Sequence, residues 1–381
     1  MAAALDLEAR GRLDRFLSGV EAYLGYDRQI WDAAAPVPPE HAQLWGAGTT
    51  RLVDMGGFIE GPPVLVVPSL VNRARVLNLR PGGGFLSLLS EWGPHPYLLD
   101  WGEPGLEERG FDCAAYVQHR LLPALEALVA RQGRPVSLMG YCMGGILTLA
   151  AAVLRPDLVD RLVFLATPFD FHAEGPEGPE GGMGGAAPLG PGALGRSWGP
   201  VLATWQGSSS QADATAADTD LGEGTDADSS PPPLPVDVVQ LLFALLDPGA
   251  IARKYTRFAA LDPGSDAARD FVLLEDWVND GVPLAAPVAR ECLEGWYGDN
   301  VVARGQWQIA GVPIRAETVR HPALVVVPDR DRIVPPKAAL ALSDALCSAE
   351  TLEVPLGHVS MVAGRRASHL VIPNIAKALM G

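Results

Sequence analysis

Short apolar runs rich in β-branched residues alternate with helical periods on both sides of the middle third of the chain. Runs of this kind predict buried strands, and strands separated by helices predict a parallel sheet covered on both faces. The predicted strands are Val64–Val67, Pro96–Leu99, Val136–Met139, Leu162–Ala166, Ala323–Val327 and Thr351–Val354. The predicted helices are Phe111–Ala130, Ile146–Leu154, Val236–Phe258, Asp266–Asn279 and Lys337–Leu346. The pattern indicates an α/β fold.

Residues 173–235 differ from the rest in composition. They are rich in Gly, Ala, Ser, Asp and Pro, and they carry nine acidic residues against one basic residue, Arg196. Such a stretch buries too little apolar surface to offset the entropy of ordering, so we expect a disordered insertion. The predicted division is a helical or irregular N-terminal segment (1–60), the first part of the core (61–172), the insertion (173–235), a helical cap (236–315) and the second part of the core (316–381).

Charge and cysteine spacing exclude several classes of function. The formal net charge of −16 over 381 residues argues against a surface for nucleic acid or anionic membranes. The N-terminus lacks a cationic start followed by an apolar block, and no apolar run is long enough to cross a bilayer. We therefore expect a cytoplasmic protein without a transmembrane segment. The cysteines lie far apart, so neither a metal site nor a disulfide framework is predicted, and we expect no cofactor. Cys113, Cys292 and Cys347 are expected to be small buried hydrophobes.

The fourth cysteine lies in the most informative motif, Gly140-Tyr141-Cys142-Met143-Gly144-Gly145. The motif follows a predicted strand and precedes a predicted helix, which is the setting of a nucleophile on a sharp strand-to-helix turn. Small residues two places to either side are required there, because Cβ atoms would collide. Cys142 is the predicted nucleophile. The alternative is an inert buried cysteine in a glycine-rich turn.

Two polar residues are predicted to activate Cys142. Asp331 follows one predicted strand and His358 follows the next, so the chain order is nucleophile, acid, histidine. The imidazole would remove the proton of the thiol, and the carboxylate would hold the imidazole in the correct tautomer. Asp329 lies in the same turn and is the competing acid. Asp331 is favoured because it directly precedes the apolar Ile-Val-Pro turn.

An oxyanion hole requires two backbone donors. The amide of Met143, at the start of the helix, is the first candidate. The second would come from the loop after the first predicted strand, Pro68-Ser69-Leu70-Val71-Asn72. An amide near Leu70 or Val71 is the predicted donor, with Val71 preferred, and the alternative is an ordinary loop.

At these residues the chain resembles the polyhydroxyalkanoate synthases, which have the α/β-hydrolase fold with a helical cap. The G-Y-C-x-G-G elbow is similar to the modified lipase box of that family, in which cysteine replaces serine. Further similar segments lie outside the insertion, at residues 66–81, 167–171, 293–305, 331–335 and 357–358. The resemblance implies that Cys142 is acylated, that Asp331 and His358 activate it, and that Asn72 binds substrate.

The resemblance also implies an activity and partners. A synthase of this kind transfers 3-hydroxyacyl groups from coenzyme A thioesters to a growing polyester. The chain is similar to the short catalytic subunits that need a partner, and a homodimer and a partner synthase subunit are both left open. Localisation at the surface of polyester granules is a further implication. The alternative functions are an esterase or thioesterase with the same triad, and a catalytically silent scaffold.

Overall fold

A computed structural model of the chain describes residues 2–28, 41–57, 60–80, 83–173, 232–246 and 249–381. Ten strands are present in this part of the chain: β1 (Gln43–Ala47), β2 (Thr50–Asp54), β3 (Pro63–Val67), β4 (His95–Asp100), β5 (Val136–Tyr141), β6 (Val159–Leu165), β7 (Gln308–Ile309), β8 (Val312–Pro313), β9 (Ala323–Pro328) and β10 (Ala349–Val354). Eight of them form one sheet in the order β1-β2-β4-β3-β5-β6-β9-β10, while β7 and β8 pair separately.

Six neighbouring strands of the large sheet, from β4 to β10, run parallel, and β1 and β2 are added antiparallel at one edge. Every predicted strand is present in the parallel part. The expectation of a helical or irregular segment over residues 1–60 missed β1 and β2, so the sheet begins before residue 61. These two strands form a hairpin whose turn contains Gly48 at φ 54°, a backbone angle that favours glycine.

Helices connect the strands and cover both faces. They are α1 (Ala2–Leu24), α2 (Phe85–Glu91), α3 (Cys113–Tyr116), α4 (Leu122–Gln132), α5 (Met143–Leu154), α6 (Val236–Leu246), α7 (Ala250–Phe258), α8 (Asp266–Asn279), α9 (Ala286–Arg290), α10 (Pro336–Ala345), α11 (Ser360–Ala363), α12 (Ala367–Leu370) and α13 (Ile372–Met380). π-Helical segments join α3 to α4 (Val117–Leu121) and follow α9 (Glu291–Gly298), and short 3-10 turns span Ala74–Asn78, Glu108–Gly110, Pro156–Leu158 and Ala316–Thr318. The stretch predicted to be helical over Val236–Phe258 contains α6 and α7, and residues 247–248 between them lie outside the described residues.

Alternate residues of the central strands point to opposite faces of the sheet. Leu65 and Leu138 pack in one apolar core with α4, α5 and α10. Val64 and Met139, their neighbours in sequence, pack in a second core with α2 and α13. All four side chains are fully buried. Strands buried on both faces explain why these runs are continuously apolar rather than alternating.

Helices α6 to α8 form a cap against which the N-terminal helix packs. A Cβ atom at Gly19 of α1 would lie 2.0 Å from the carbonyl oxygen of Tyr255 in α7, so the two backbones are in direct contact there. Tyr23, Phe258 and Val272 form a small apolar cluster separate from the two cores. The N-terminal helix is therefore part of the cap rather than of the sheet layer.

Strand order, parallel direction and the strand-to-helix turn after β5 make this an α/β-hydrolase fold, as predicted. Most of the predicted insertion, residues 174–231, lies outside the described residues. No described helix is both long enough and apolar enough to span a membrane.

Candidate active site

Cys142 occupies the turn between β5, which ends at Tyr141, and α5, which begins at Met143. Its backbone has φ 54° and ψ −129°, an uncommon conformation for a residue with a side chain. Two hydrogen bonds hold it there. The Cys142 N–H donates to the carbonyl of Leu165 on β6, and the Gly145 N–H donates to the carbonyl of Cys142, each over 2.9 Å.

Three glycines make this sharp turn possible. A Cβ atom at Gly140 would lie 2.4 Å from the Cα of Gly145, and one at Gly144 would lie 2.2 Å from the carbonyl oxygen of Val67. A Cβ atom at Gly145 would lie 1.9 Å from the Oγ1 of Thr167. Contacts this close are incompatible with any side chain, so the glycines allow the elbow to approach β3 and β6.

His358 and Asp331 lie past the carboxyl ends of β10 and β9 and are hydrogen bonded to each other. The distance from His358 Nδ1 to Asp331 Oδ2 is 2.7 Å. The other oxygen of Asp331 accepts bonds from the amides of Ile333 at 2.8 Å and Val334 at 2.9 Å. Asp331 is only 1% exposed. These bonds fix the direction of the carboxylate, which in turn fixes the orientation of the ring.

Asp329, the competing acid, is placed differently. Its side chain is 48% exposed and lies 3.8 Å from the Nε atom of Arg330. The turn after β9 thus brings Asp331 to the histidine and directs Asp329 to the surface.

The environment of the imidazole favours its protonated form. Burial by itself lowers the pKa of His358, but the negative charge of Asp331 and the interaction with the Cys142 side chain together raise it well above the ordinary value. Tyr141 packs beside this ring, with centroids 5.2 Å apart, and its hydroxyl donates to the His358 carbonyl over 3.3 Å. Burial, followed by the nearby Cys142 and Asp331, raises the pKa of Tyr141 well above its usual range.

The two candidate oxyanion donors differ. Met143 is buried at the first position of α5, directly after Cys142. The amide of Val71 donates to Ser69 Oγ over 3.2 Å, so it is already engaged within its own loop. This leaves the neighbouring Leu70 as the alternative second donor. The loop lies against the elbow, as the close approach of Gly144 to the carbonyls of Val67 and Pro68 requires.

A cavity of about 560 Å³ opens in front of Cys142 and His358, and its wall includes Asn72 and Val71 from the loop after β3. The cap supplies the opposite wall. The lining from the cap and the π-helical segment is largely apolar, including Val239, Ala244, Ile251, Leu284 and Leu293. Such a cavity suits an aliphatic group attached to the atom that Cys142 would attack.

Cys292 and Tyr297 also line this cavity. Tyr297 lies in the segment 293–305 that resembles the synthases, but neither residue was predicted to belong to the site. Both lie on the π-helical segment Glu291–Gly298. Asn300, at φ 54°, supports that segment by donating to Asp170 Oδ1 over 2.8 Å and accepting from the Phe171 amide over 3.0 Å. The sequence signal that could have found this wall is the W-Y…N stretch of residues 293–305.

The expectation that three cysteines are small buried hydrophobes is correct for Cys113 only. Cys292 is half-buried, and Cys347 is exposed with its sulfur donating to the carbonyl of Glu317. Cys347 follows α10 at the surface, where nothing in its local sequence signals exposure. Within the described ranges, His, Cys, Asp and Glu side chains do not gather in groups of three or more that could hold a metal.

Two curated proteins similar to this chain have the same description. The chain is 27% identical over 371 residues to "Poly(3-hydroxyalkanoate) polymerase subunit PhaC" of Synechocystis sp., covering 95% of this chain and 89% of that protein. The protein of the same description from Allochromatium vinosum is 25% identical, covering 83% and 80%. The chain resembles the polyhydroxyalkanoate polymerase subunits. This confirms the resemblance predicted from the motifs.

A third relative shows that lengths in this group differ. The polymerase subunit of Haloferax mediterranei is 27% identical over 82% of this chain, but the match spans only 58% of that protein. No family profile matches the chain. Among solved structures, an α/β-hydrolase fold protein from Nakamurella multipartita has 18% identity and a TM-score of 0.48, covering 90% of this chain and 99% of that one.

Proposed function

We propose that the chain is a cysteine-dependent acyltransferase of the polyhydroxyalkanoate synthase type, which moves 3-hydroxyacyl groups from coenzyme A thioesters to a polyester through an acyl-Cys142 intermediate. The observation that carries the proposal is the cysteine at the nucleophile position of the elbow, facing a buried His358–Asp331 pair. The descriptions of the related polymerase subunits support the substrate class.

In the first half of the proposed reaction, His358 takes the proton of the Cys142 thiol and the thiolate attacks the carbonyl carbon of the thioester. The negative charge passes to the carbonyl oxygen, which accepts hydrogen bonds from the amides of Met143 and Leu70. When the carbonyl re-forms, the bond to coenzyme A breaks and its sulfur takes the proton from His358. One thioester has been exchanged for another, a nearly balanced step.

In the second half, His358 removes a proton from the acceptor hydroxyl of the polyester, and the resulting alkoxide attacks the acyl-Cys142 carbonyl. An ester forms, and Cys142 leaves as a thiolate that regains the proton from His358. The acceptor hydroxyl is a much weaker acid than a thiol, so this half depends more on the base strength of the His358–Asp331 pair. The apolar cavity wall keeps water, the competing acceptor, away from the intermediate.

The decisive test is to incubate purified protein with 3-hydroxybutyryl-CoA, alone and with a cell extract that would supply a partner subunit. We expect release of coenzyme A together with polymer. Release of coenzyme A with free 3-hydroxybutyrate would instead establish the hydrolase alternative. No release under either condition would contradict both enzyme functions and favour the silent scaffold.

Cys142→Ala is the matching variant and should abolish the release of coenzyme A without changing the thermal unfolding midpoint. Because Cys347 is exposed, alkylation of the wild type does not report on the active site alone. Cys347→Ser is therefore the control: it should keep full activity, and iodoacetamide should then label Cys142 first. An active Cys142→Ala variant would disprove the mechanism.

A further inference from the structure

An ion pair with a buried carboxylate and a half-buried ammonium group lies in the cap wall of the otherwise largely apolar cavity. Glu275 of α8 is only 3% exposed, and its Oε2 atom is 2.6 Å from the Nζ atom of Lys254 in α7. The hydroxyl of Tyr255 donates to the same oxygen over 3.2 Å. All three residues line the cavity that contains Cys142 and His358. Burying the Glu275 carboxylate carries a desolvation penalty that contact with a half-buried ammonium group only partly repays, so the placement of this carboxylate requires an explanation.

The pair retains hydrogen-bonding capacity. An ammonium group has three donors, and a carboxylate has about four acceptor sites on its two oxygens. The contacts of Glu275 with Lys254 and Tyr255 both involve Oε2. Gln240 adds a further amide to the same wall, where its Nε2 donates to the Val278 carbonyl over 2.9 Å. A few polar groups in an apolar cavity orient the polar part of a ligand.

The chemistry of a coenzyme A thioester decides which part of it this pair suits. The acyl group offers a single polar group to this pair, its 3-hydroxyl, and is otherwise aliphatic. The pantetheine arm on the other side of the thioester sulfur carries two amides and a hydroxyl, which supply both donors and acceptors. A matched set of donors and acceptors is what a neutral ion pair with spare capacity can bind.

We propose that Lys254 and Glu275 form a subsite for the pantetheine arm, and that the reacting carbonyl is thereby positioned at Cys142. The subsite rests on the proposed function, because it assumes a coenzyme A thioester. Lys254 is 31% exposed at its side chain, so it lies between the buried wall and solvent. The arm passes this point with its nucleotide end outward. Lys254 and Glu275 are positioning residues that do not touch the reacting atoms.

The test compares three thioesters of 3-hydroxybutyrate: with coenzyme A, with pantetheine, and with N-acetylcysteamine, which lacks most of the arm. We expect Lys254→Met to raise KM about tenfold for the first two, the value of one hydrogen bond to a charged group, with kcat nearly unchanged. For N-acetylcysteamine the KM should stay within about twofold of the wild type. Lys254→Arg should restore most of the affinity for the two longer substrates.

Arg257→Met is the matched control, because it removes the same charge from α7 at an exposed position outside the cavity wall. It should leave all three KM values unchanged. Equal losses of Lys254→Met on all three substrates would place the pair at the acyl group or at the amide nearest the sulfur, which all three share, rather than at the rest of the pantetheine arm, and would overturn the proposal. A rise in KM confined to the coenzyme A thioester would indicate that Lys254 contacts the phosphates. No rise with any substrate would indicate a purely structural pair. Either result would also overturn the proposal.

Binding without turnover separates this proposal from the proposed function. Calorimetry of 3-hydroxybutyryl-pantetheine with Cys142→Ala and with Cys142→Ala/Lys254→Met should show about a tenfold difference in Kd. If the wild type releases no coenzyme A but this difference is found, the proposed function fails and the subsite stands. If turnover is normal and the two variants bind equally, the subsite fails alone.

Discussion

The sheet and the cap helix α8 are held in the molecule by different forces. β3, β5 and β9 are buried along their whole length by apolar side chains on both faces. By contrast, α8 buries only part of its surface, including Val272 and Trp277, and is also joined to the rest by ion pairs between residues far apart in sequence. These are Asp270 with Arg80 and Arg365, both at 2.7 Å, and Asp276 with Arg28, also at 2.7 Å. Asp280, just after α8, contacts Arg73 at 2.8 Å.

This difference separates the part of the molecule that holds Cys142, Asp331 and His358 from the part that forms the opposite wall of the cavity. Apolar burial involves no charges and is not screened by salt, so the layer that holds Cys142, Asp331 and His358 should not be weakened by NaCl. Exposed and half-exposed ion pairs contribute at most about 1 kcal/mol each and are screened by salt. The proposed reacting groups thus lie at the edge of the apolar sheet layer, while the cavity wall contributed by α8 is attached partly by ion pairs.

The largest effect, on kcat, is expected for substitution of Asp331, the carboxylate that orients His358. Asp331→Asn should leave the site assembled but present the wrong tautomer of His358. In serine enzymes this change costs about four orders of magnitude in kcat. A thiol is more acidic, so we expect a loss of about two to three orders and accumulation of acyl-Cys142, visible by mass spectrometry.

Asp329→Asn is the control for this experiment, because its side chain points to solvent. It should neither slow the reaction nor accumulate the adduct. If the two variants exchange these behaviours, the acid is Asp329. If neither differs from the wild type, His358 works without a carboxylate from this turn.

The second prediction concerns the apolar layer itself. Leu138 on β5 is fully buried. Leu138→Ala should lower the free energy of unfolding by about 2–5 kcal/mol through lost burial and the cavity left behind. Urea unfolding at low salt and in about 1 M NaCl should give the same loss, since no charge is involved. A loss that changes with salt would show that the two regions are not separate.

The third prediction uses pH. The pKa of His358 is raised in the folded protein, so the stabilisation it provides is present below the unfolded value of about 6.5 and is lost as the pH rises through the folded value. Removing the carboxylate in Asp331→Asn removes much of this stabilisation. The stability difference between wild type and Asp331→Asn should therefore be larger near about pH 6 than near about pH 9. The opposite trend in urea unfolding would show that the imidazole is neutral in the native site.

The smallest effect is expected in the cap. Asp270→Asn breaks the pairs with Arg80 and Arg365 and should cost about 1 kcal/mol or less. Unlike the Leu138→Ala loss, this one should shrink in about 1 M NaCl, because screening weakens the pairs in the wild type as well. Asp262→Asn is a control outside the ion pairs. If the loss of unfolding free energy does not depend on salt, α8 is held mainly by apolar packing, like the sheet layer.

The buried strands and the elbow could be predicted because their signals are local and dense. Continuous β-branched runs require burial on both faces, and three glycines around one cysteine satisfy a steric demand of the turn. Both features act within a few residues of the chain. The edge strands β1 and β2 escaped detection because their partly exposed residues lack that density.

The contacts that could not be predicted join residues far apart in sequence or depend on single hydrogen bonds. The pairing of Arg28 with Asp276 spans 248 residues, and no local pattern encodes it. The engagement of the Val71 amide depends on the rotamer of Ser69. The Lys254–Glu275 pair lies on two helices whose charges look like ordinary surface residues in the sequence. Only the tertiary structure brings the two residues together and buries the Glu275 carboxylate.

The elbow has a consequence for which mutations the chain can tolerate. Every single-nucleotide change at a glycine codon that alters the amino acid and keeps the chain intact adds a side chain, and at Gly140, Gly144 and Gly145 each addition meets atoms 1.9–2.4 Å away. We therefore expect no single-nucleotide substitution of these three glycines to be neutral. Cys142→Ser, in contrast, exchanges one atom inside an unchanged backbone. Substitutions that change the chemistry of this site can therefore be accommodated at the sulfur atom of Cys142 or in the cap wall, but not at the three glycines of the turn.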